Sequence, residues 1–385
     1  MPKLKKYKEK TLQKKIAQHA KGIKLDFYRV DLSGLDLRGV NLEGARLEEV
    51  DLSGADLRGV NLRGVLLNES NLSGANLENA NLQGASLLHA VLIETKFERA
   101  NLRRCNFRKV RARGANLQFS NLMSADLSLA DFYCSNFRRT RLIKTVMYGA
   151  CFDYSDFERA EMMQVRAFHA SFRFANFQGA NSFCGGFSNA DLSNADLRGA
   201  RLSGANLESA FLNGANLYGT EMVCTNLKKT LITNAARILH SDLSGANIQQ
   251  ARLCDANFYK TDLTGVNLFC ADLERATFLG VNLERAVLTN ANLKDVYMED
   301  VNYKHIRLKT KDLKGLITWE SWNCDDLALD DAAKALPDWK QISYFFWRRN
   351  IETIAHMPYW KPIPFSISVE EDLENGNHKC QMGRQ

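Results

Sequence analysis

Residues 71–87 read NLSGANLENANLQGASL, and this stretch decides how the rest of the chain is read. Leu72, Leu77, Leu82 and Leu87 recur every five residues, with Ala75, Ala80 and Ala85 two positions before a leucine and Asn76 and Asn81 between. Stepping by five from Phe27 to Ile232, every centre is Leu, Phe, Met or Ile except Ala112, Ala167 and Ser182. Two residues before each centre, from Ala45 to Thr230, stand only Ala, Val, Ser, Thr, Cys or Gly. An α-helix repeats apolar residues about every 3.6 positions and a strand about every two. A period of five fits neither. It fits a square coil in which each five-residue unit makes one side and one turn. The large residue fills the interior, the small one lets the corner close, and four units complete a coil of about 20 residues.

Units such as Ala55-Asp56-Leu57 and Ala75-Asn76-Leu77 follow the pattern A-(D/N)-L-x-x, which resembles the pentapeptide-repeat family. The resemblance spans residues 25–315, about three quarters of the chain. It implies an all-β solenoid, a right-handed four-sided β-helix. It implies no particular activity, because the family's functions are diverse. The phase slips once: after Ile232 the next centre is Ile238, so one residue is inserted near positions 233–235. About 14 coils at a strand spacing of ~4.8 Å predict a solenoid roughly 65–70 Å long. Residues twenty apart should stack. Phe132, Phe152 and Phe172 make one interior column, Phe137, Phe157 and Phe177 the next, and smaller centres on the other two sides compensate for their volume.

A solenoid exposes its first and last coils and needs caps. Residues 1–24 hold nine lysines and one glutamate. Leu12, Ile16 and Ala20 predict a short N-terminal cap helix, preceded by a flexible lead-in over Lys3–Lys8. Residues 316–385 contain all five tryptophans and four of the five prolines. They read as a small helical cap region ending in a frayed tail, with partner binding or homodimerisation as the alternative use of so many tryptophans.

Chemistry is hard to find. There is no P-loop, GxGxxG, GxSxG or HExxH, so the expectation is no enzyme, no cofactor and no metal. The repeated Asp residues belong to the turns of their own units. The nine cysteines form no CxxC pair and suggest a reducing compartment. His89, His169, His240, Cys134, Cys184, Cys224 and Cys270 fall two residues after a centre and should face outward, while Cys105 takes the small inward place. The net charge of +7 is concentrated in residues 1–24, so nucleic-acid contact is expected only through that basic segment. The first thirty residues lack an apolar signal core, and no run approaches a membrane span. The expected site is the cytoplasm, or a host cell reached without a cleavable signal.

The outer surface carries the functional argument. The residue after each centre should point outward. On one side these residues are Met123, Ile143, Met163 and Phe183, a ladder of apolar rungs. Tyr148 and Phe168 hold the equivalent place on the next side. Arg138 and Arg139 belong to a basic belt over residues 96–145, where twelve basic residues face only Glu98, Asp126 and Asp131. These eight residues are the candidate partner-binding site. The leading reading is a non-catalytic interaction scaffold with a protein partner. The alternatives are a secreted bacterial effector acting on a host protein and a modulator of a DNA topoisomerase or other DNA-binding protein. The near-neutral body departs from the acidity that duplex-mimicking relatives show.

Overall fold

The computed structural model describes residues 5–6, 14, 25–233, 236–308 and 317–318. The chain divides into two compact units, Met1–Pro337 and Asp338–Gln385, and the second lies outside the described residues. So do the expected cap helices at both ends, apart from Lys14, and the frayed tail.

The described part of the first unit is a right-handed, four-sided parallel β-helix. Its coils are joined by parallel bridges between residues twenty apart, such as Asp36↔Asp56, Asn61↔Asn81 and Asp126↔Val146. The bridging residue is the one that precedes each centre, most often Asp or Asn. The centre's own N–H reaches the next coil, as in Leu57 to the Asn76 carbonyl at 2.7 Å. The turn then closes on itself: the N–H of Val60, at the small inward position, donates to the Leu57 carbonyl at 3.2 Å. This arrangement repeats on all four sides and satisfies the backbone coil by coil.

The preference for Asp and Asn has a local cause. Their side-chain oxygen accepts the N–H two residues on, as in Ser33 to Asp31 (2.9 Å) and Glu78 to Asn76 (3.0 Å). This bond holds the chain at the corner. Asparagines also bond along the stack, Asn101 to Asn81 at 2.9 Å and Asn226 to Asn206 at 3.0 Å. Several hydroxyls at the small inward position donate to backbone, for example Thr95 to the Leu72 carbonyl at 2.8 Å, whereas the buried Ser120 hydroxyl has no partner. The second residue after each centre sits at positive φ, whether it is Gly54 (+63°) or Lys109 (+57°).

The core is one continuous apolar column from Leu25 to Leu308. The expected phenylalanine stacks are present. Phe132–Phe152 and Phe152–Phe172 are parallel at 5.6 and 5.1 Å between centroids, and Phe157–Phe177 at 5.0 Å. The two columns meet edge to face, Phe132–Phe137 at 5.2 Å. Volume compensation is visible beside the small centre Ser182. A Cβ placed on Gly185 would lie 2.6 Å from the Phe187 ring, which fills that space.

The inserted residue lengthens one coil to 21 residues, so that Asn216 bridges Arg237, and the stack continues in register. Beyond it one side gains short strands. They are β3 (Arg237–Leu239), β4 (Asn257–Tyr259), β5 (Thr277–Leu279), β6 (Tyr297–Glu299) and β7 (Ile317–Thr318), paired in that order and all parallel. At the other end β1 (Lys5–Lys6) pairs in parallel with β2 (Val30–Asp31). Lys5 and Lys6 are therefore not the flexible lead-in that their charge suggests. Their backbone pairs with the first coil and covers the edge that coil would otherwise expose.

Candidate functional site

We number the four sides by their centres. Face 1 carries the centres 127, 147, 167 and 187, and faces 2, 3 and 4 follow along the chain. The two residues after a centre form the corner leading to the next face. Met123, Ile143, Met163 and Phe183 therefore stand at the corner from face 4 to face 1. Tyr148 and Phe168 stand at the corner from face 1 to face 2. Arg138 and Arg139 stand at the corner from face 3 to face 4.

The ladder lies on the surface, but its rungs differ. Phe183 is 49% exposed, whereas Met123, Ile143 and Met163 are half-buried. Tyr148 is 49% exposed and Phe168 is half-buried. The reason for Phe168 lies one coil away: a Cβ on Gly186 would be 2.9 Å from the ring's Cζ, so the ring lies across the space a side chain would take. Tyr148 packs edge-on against His169 at 5.8 Å.

Face 1 joins these two corners, which sequence spacing alone leaves unconnected. Its bridge column runs Asp126, Val146, Arg166, Gly186. Val146 is apolar at a position that usually holds Asp or Asn, and it places an aliphatic group between Ile143 and Tyr148. Leu129, 45% exposed, extends the apolar area at the same edge as Tyr148. Both residues could have been found from the sequence by reading the bridge and second corner positions as well as the first.

The arginines behave differently. Arg138 is held by ion pairs to Asp156 (3.3 Å) and Glu158 (2.5 Å). Arg139 and Arg99 both lie over the ring of Phe119, at 5.8 and 5.7 Å. Face 4 separates both from face 1. The basic belt is a girdle rather than a patch: residues 96–113 nearly complete one coil, and their eight basic side chains point to every side. Those beside face 1 are Arg103 and Arg104 at one corner and Arg108 and Lys109 at the other.

A second aromatic strip, at the corner from face 2 to face 3, falls outside the expected site. Tyr133 meets Tyr154 at 5.4 Å, and Tyr154 stacks on Phe174 at 4.9 Å. Beside it the Asp153 carboxylate, only 3% exposed, receives Arg173 Nη2 at 2.6 Å and Nε at 2.8 Å. The outward histidines and cysteines lie at positive φ as their spacing requires. Cys105 is buried, its Sγ donating to the Leu82 carbonyl at 2.9 Å, and burial pushes the thiol up to about 12. Among the described residues no three His, Cys, Asp or Glu side chains converge to hold a metal. Among them, too, no helix is long and apolar enough to cross a membrane.

A four-sided parallel solenoid whose coils repeat every twenty residues defines the class of protein. The family is equally plain: the pentapeptide repeats family matches residues 26–64, 70–108, 113–149, 187–222, 240–268 and 267–302, and the chain belongs to it. Among solved structures it is similar to HetL, a pentapeptide repeat protein involved in heterocyst differentiation regulation from the cyanobacterium Nostoc sp. The identity is 27%, over 63% of this chain and 94% of HetL, with a TM-score of 0.32. It is also similar to Rfr23 from the cyanobacterium Cyanothece (21% identity, 30% of this chain and 91% of that one, TM-score 0.22). A third is QnrB1, a plasmid-mediated fluoroquinolone resistance protein (18%, 62% and 95%, TM-score 0.23). None of these three reaches a TM-score of 0.5, and membership rests on the repeat itself. No curated protein matches the sequence.

Proposed function

We propose that this chain is a non-catalytic interaction scaffold, and that face 1 with its two bordering corners is the surface on which a protein docks. One observation carries the reading: Ile143, Val146 and Tyr148 place three apolar side chains across face 1 in a single coil, and Met163 and Phe168 stand at the same two corners one coil on, either side of Arg166. Apolar side chains on a soluble surface are normally scattered, and a contiguous group rimmed by polar residues marks a contact. The rim is basic at one end, through Arg103, Arg104, Arg108 and Lys109. Anchors of this kind dominate interface energy, while rim charges govern encounter.

The reading retains Met123, Ile143, Met163, Phe183, Tyr148 and Phe168, adds Val146 and Leu129, and leaves Arg138 and Arg139 to structural roles. It assigns no catalytic step. It favours a scaffold over a duplex-mimicking topoisomerase modulator, because such mimicry needs a regular array of negative charge and this region presents a basic girdle. A photo-crosslinking residue at Ile143 or Met163 in the full chain, in its own cell, tests it. Cross-links to a defined protein are expected from these positions and not from Arg198 beside face 3. Equal labelling from Ile143 and Arg198 would refute the docking face.

A further inference from the structure

We infer that the protein occupying face 1 is a second copy of this chain, laid alongside the first with its axis reversed. This rests on the docking reading above and names its partner.

The first argument is spacing. Rungs on face 1 repeat at the inter-strand distance, ~4.8 Å. A helix offers ~5.4 Å per turn, and one face of an extended strand lying along the axis offers ~6.6 Å. Neither stays in step with four successive rungs. The side of another β-solenoid does.

The second argument is self-complementarity. A two-fold axis lying in the contact plane and perpendicular to the solenoid reverses the order of coils, while each corner faces its own counterpart. Place that axis midway between the coils of Ile143 and Met163. Ile143 then opposes Met163 of the second copy, and Met123 opposes Phe183. At the other corner Tyr148 opposes Phe168, and Ser128 opposes Ser188. Across the bridge column Val146 faces Arg166, whose aliphatic stem can cover it. One coil beyond the ladder at each end, Arg108 faces Glu208. The remaining basic rim finds uncharged partners: Arg103, Arg104 and Lys109 meet Ser203, Gly204 and Ser209.

Other registers fare worse. A shift of one coil in one direction sets Arg108 against Lys228 and Lys109 against Lys229. A shift the other way sets Arg103 against Phe183 and Glu208 against Leu88. A parallel pair, with the two-fold along the solenoid axis, sets Arg103 against Arg108 and Arg104 against Lys109. Opposed like charges penalise the first shift and the parallel pair, and the second shift buries charges against apolar side chains. The antiparallel register described above pairs all four rungs and opposes no like charges.

Sedimentation of the full-length chain from 1 to 200 µM tests the inference; the expected weight-average mass rises from 43.5 kDa toward twice that value. Arg108→Glu and Glu208→Arg should each weaken self-association about tenfold, and the double variant should recover most of it. Within one chain the two positions are five coils apart, ~24 Å, so no pairing inside a protomer can produce the recovery. Ile143→Glu should leave only monomer, and thermal unfolding of each variant confirms that the fold is retained. A monomeric chain at 200 µM overturns the inference. So does a dimer indifferent to all three substitutions, which would be joined elsewhere. If the chain is monomeric but Ile143 cross-links specifically to a different protein, only the self-pairing fails. If face 1 yields no specific cross-link at all, the docking reading fails with it.

Discussion

The rings of Phe137 and Phe157 lie 4.8 Å apart and within 8° of parallel, although twenty residues separate them in the chain. That contact is the fold in miniature: each coil supplies the same side of the interior with a side chain that rests on its equivalent in the next. Phe157 in turn stacks on Phe177 and meets Phe152 and Phe172 edge-on. Phe157→Ala should therefore cost ~3–5 kcal/mol, and Phe157→Asp should prevent folding, because a carboxylate would be buried without a partner. Glu158 is a poor control, since its side chain is only 17% exposed and is paired with Arg138. Gln178→Ala, at an exposed site one coil on, should leave the melting temperature almost unchanged. Similar melting temperatures for Phe157→Ala and Gln178→Ala would contradict the interior packing.

The docking ladder predicts a separation of binding from stability. Changing Phe183 to Ser should cost within about 0.5 kcal/mol, since the ring is exposed. Changing Ile143 and Met163 as well should cost more, ~1–2 kcal/mol in total, because both are half-buried. The triple variant should still show the parent's circular dichroism at 25 °C while losing its partner. Normal binding by the folded variant would remove the ladder from the interface.

Backbone conformation at the corners gives a third test. Gly54 has φ of +63° and nothing within 4 Å of a Cβ built on it, so only conformational cost opposes a side chain there. Gly54→Ala should lower stability by ~1 kcal/mol, and Gly54→Asn by less, because asparagine tolerates the left-handed region. Asn189 and Asn194 already occupy equivalent positions. Urea titration distinguishes the two. A neutral alanine would show that the corner relaxes.

Thiol chemistry should separate the cysteines. In the native state at pH 8, Cys184, Cys224 and Cys270 are exposed and should react with a maleimide. Cys105 is buried and its thiol is held protonated by desolvation, so it should react only on unfolding. Mass spectrometry of the labelled peptides reads this directly. Native labelling of Cys105 at the rate of Cys184 would place it outside the core.

Acid should act at the Asp36–Arg38 pair. Arg38 Nη2 lies 2.6 Å from Asp36 Oδ2, and its hydrogen bonds lower the carboxyl to about 2. The folded value is thus depressed, so the pair's stabilisation is present above the unfolded value of about 4 and is lost as pH falls through about 2. The stability difference between wild type and Asp36→Asn should shrink over that window. A difference that stays constant from pH 5 to pH 2 would show that the carboxylate gains nothing from its neighbour.

The sequence alone determined the solenoid, because its rule is local and repeated. A large centre such as Leu77, a small Ala75 and an Asn76 that bonds its own corner specify one side of a coil, and repetition brings residues twenty apart into one column. The phenylalanine stacks and the inward place of Cys105 follow from that arithmetic. What the repeat cannot say is which outward side chains remain available. Arg138 reads as a surface charge but is held by Asp156 and Glu158, each of which lies close to a full coil away in the chain. Phe168 reads as an exposed ring but lies down over Gly186, one coil further along. Tyr133, Tyr154 and Phe174 share one corner through two different turn positions, a relation that a single-position reading overlooks. Periodicity assigns each residue to a side; the tertiary structure decides exposure and pairing, because those depend on the neighbouring coils and on which way each side chain leans.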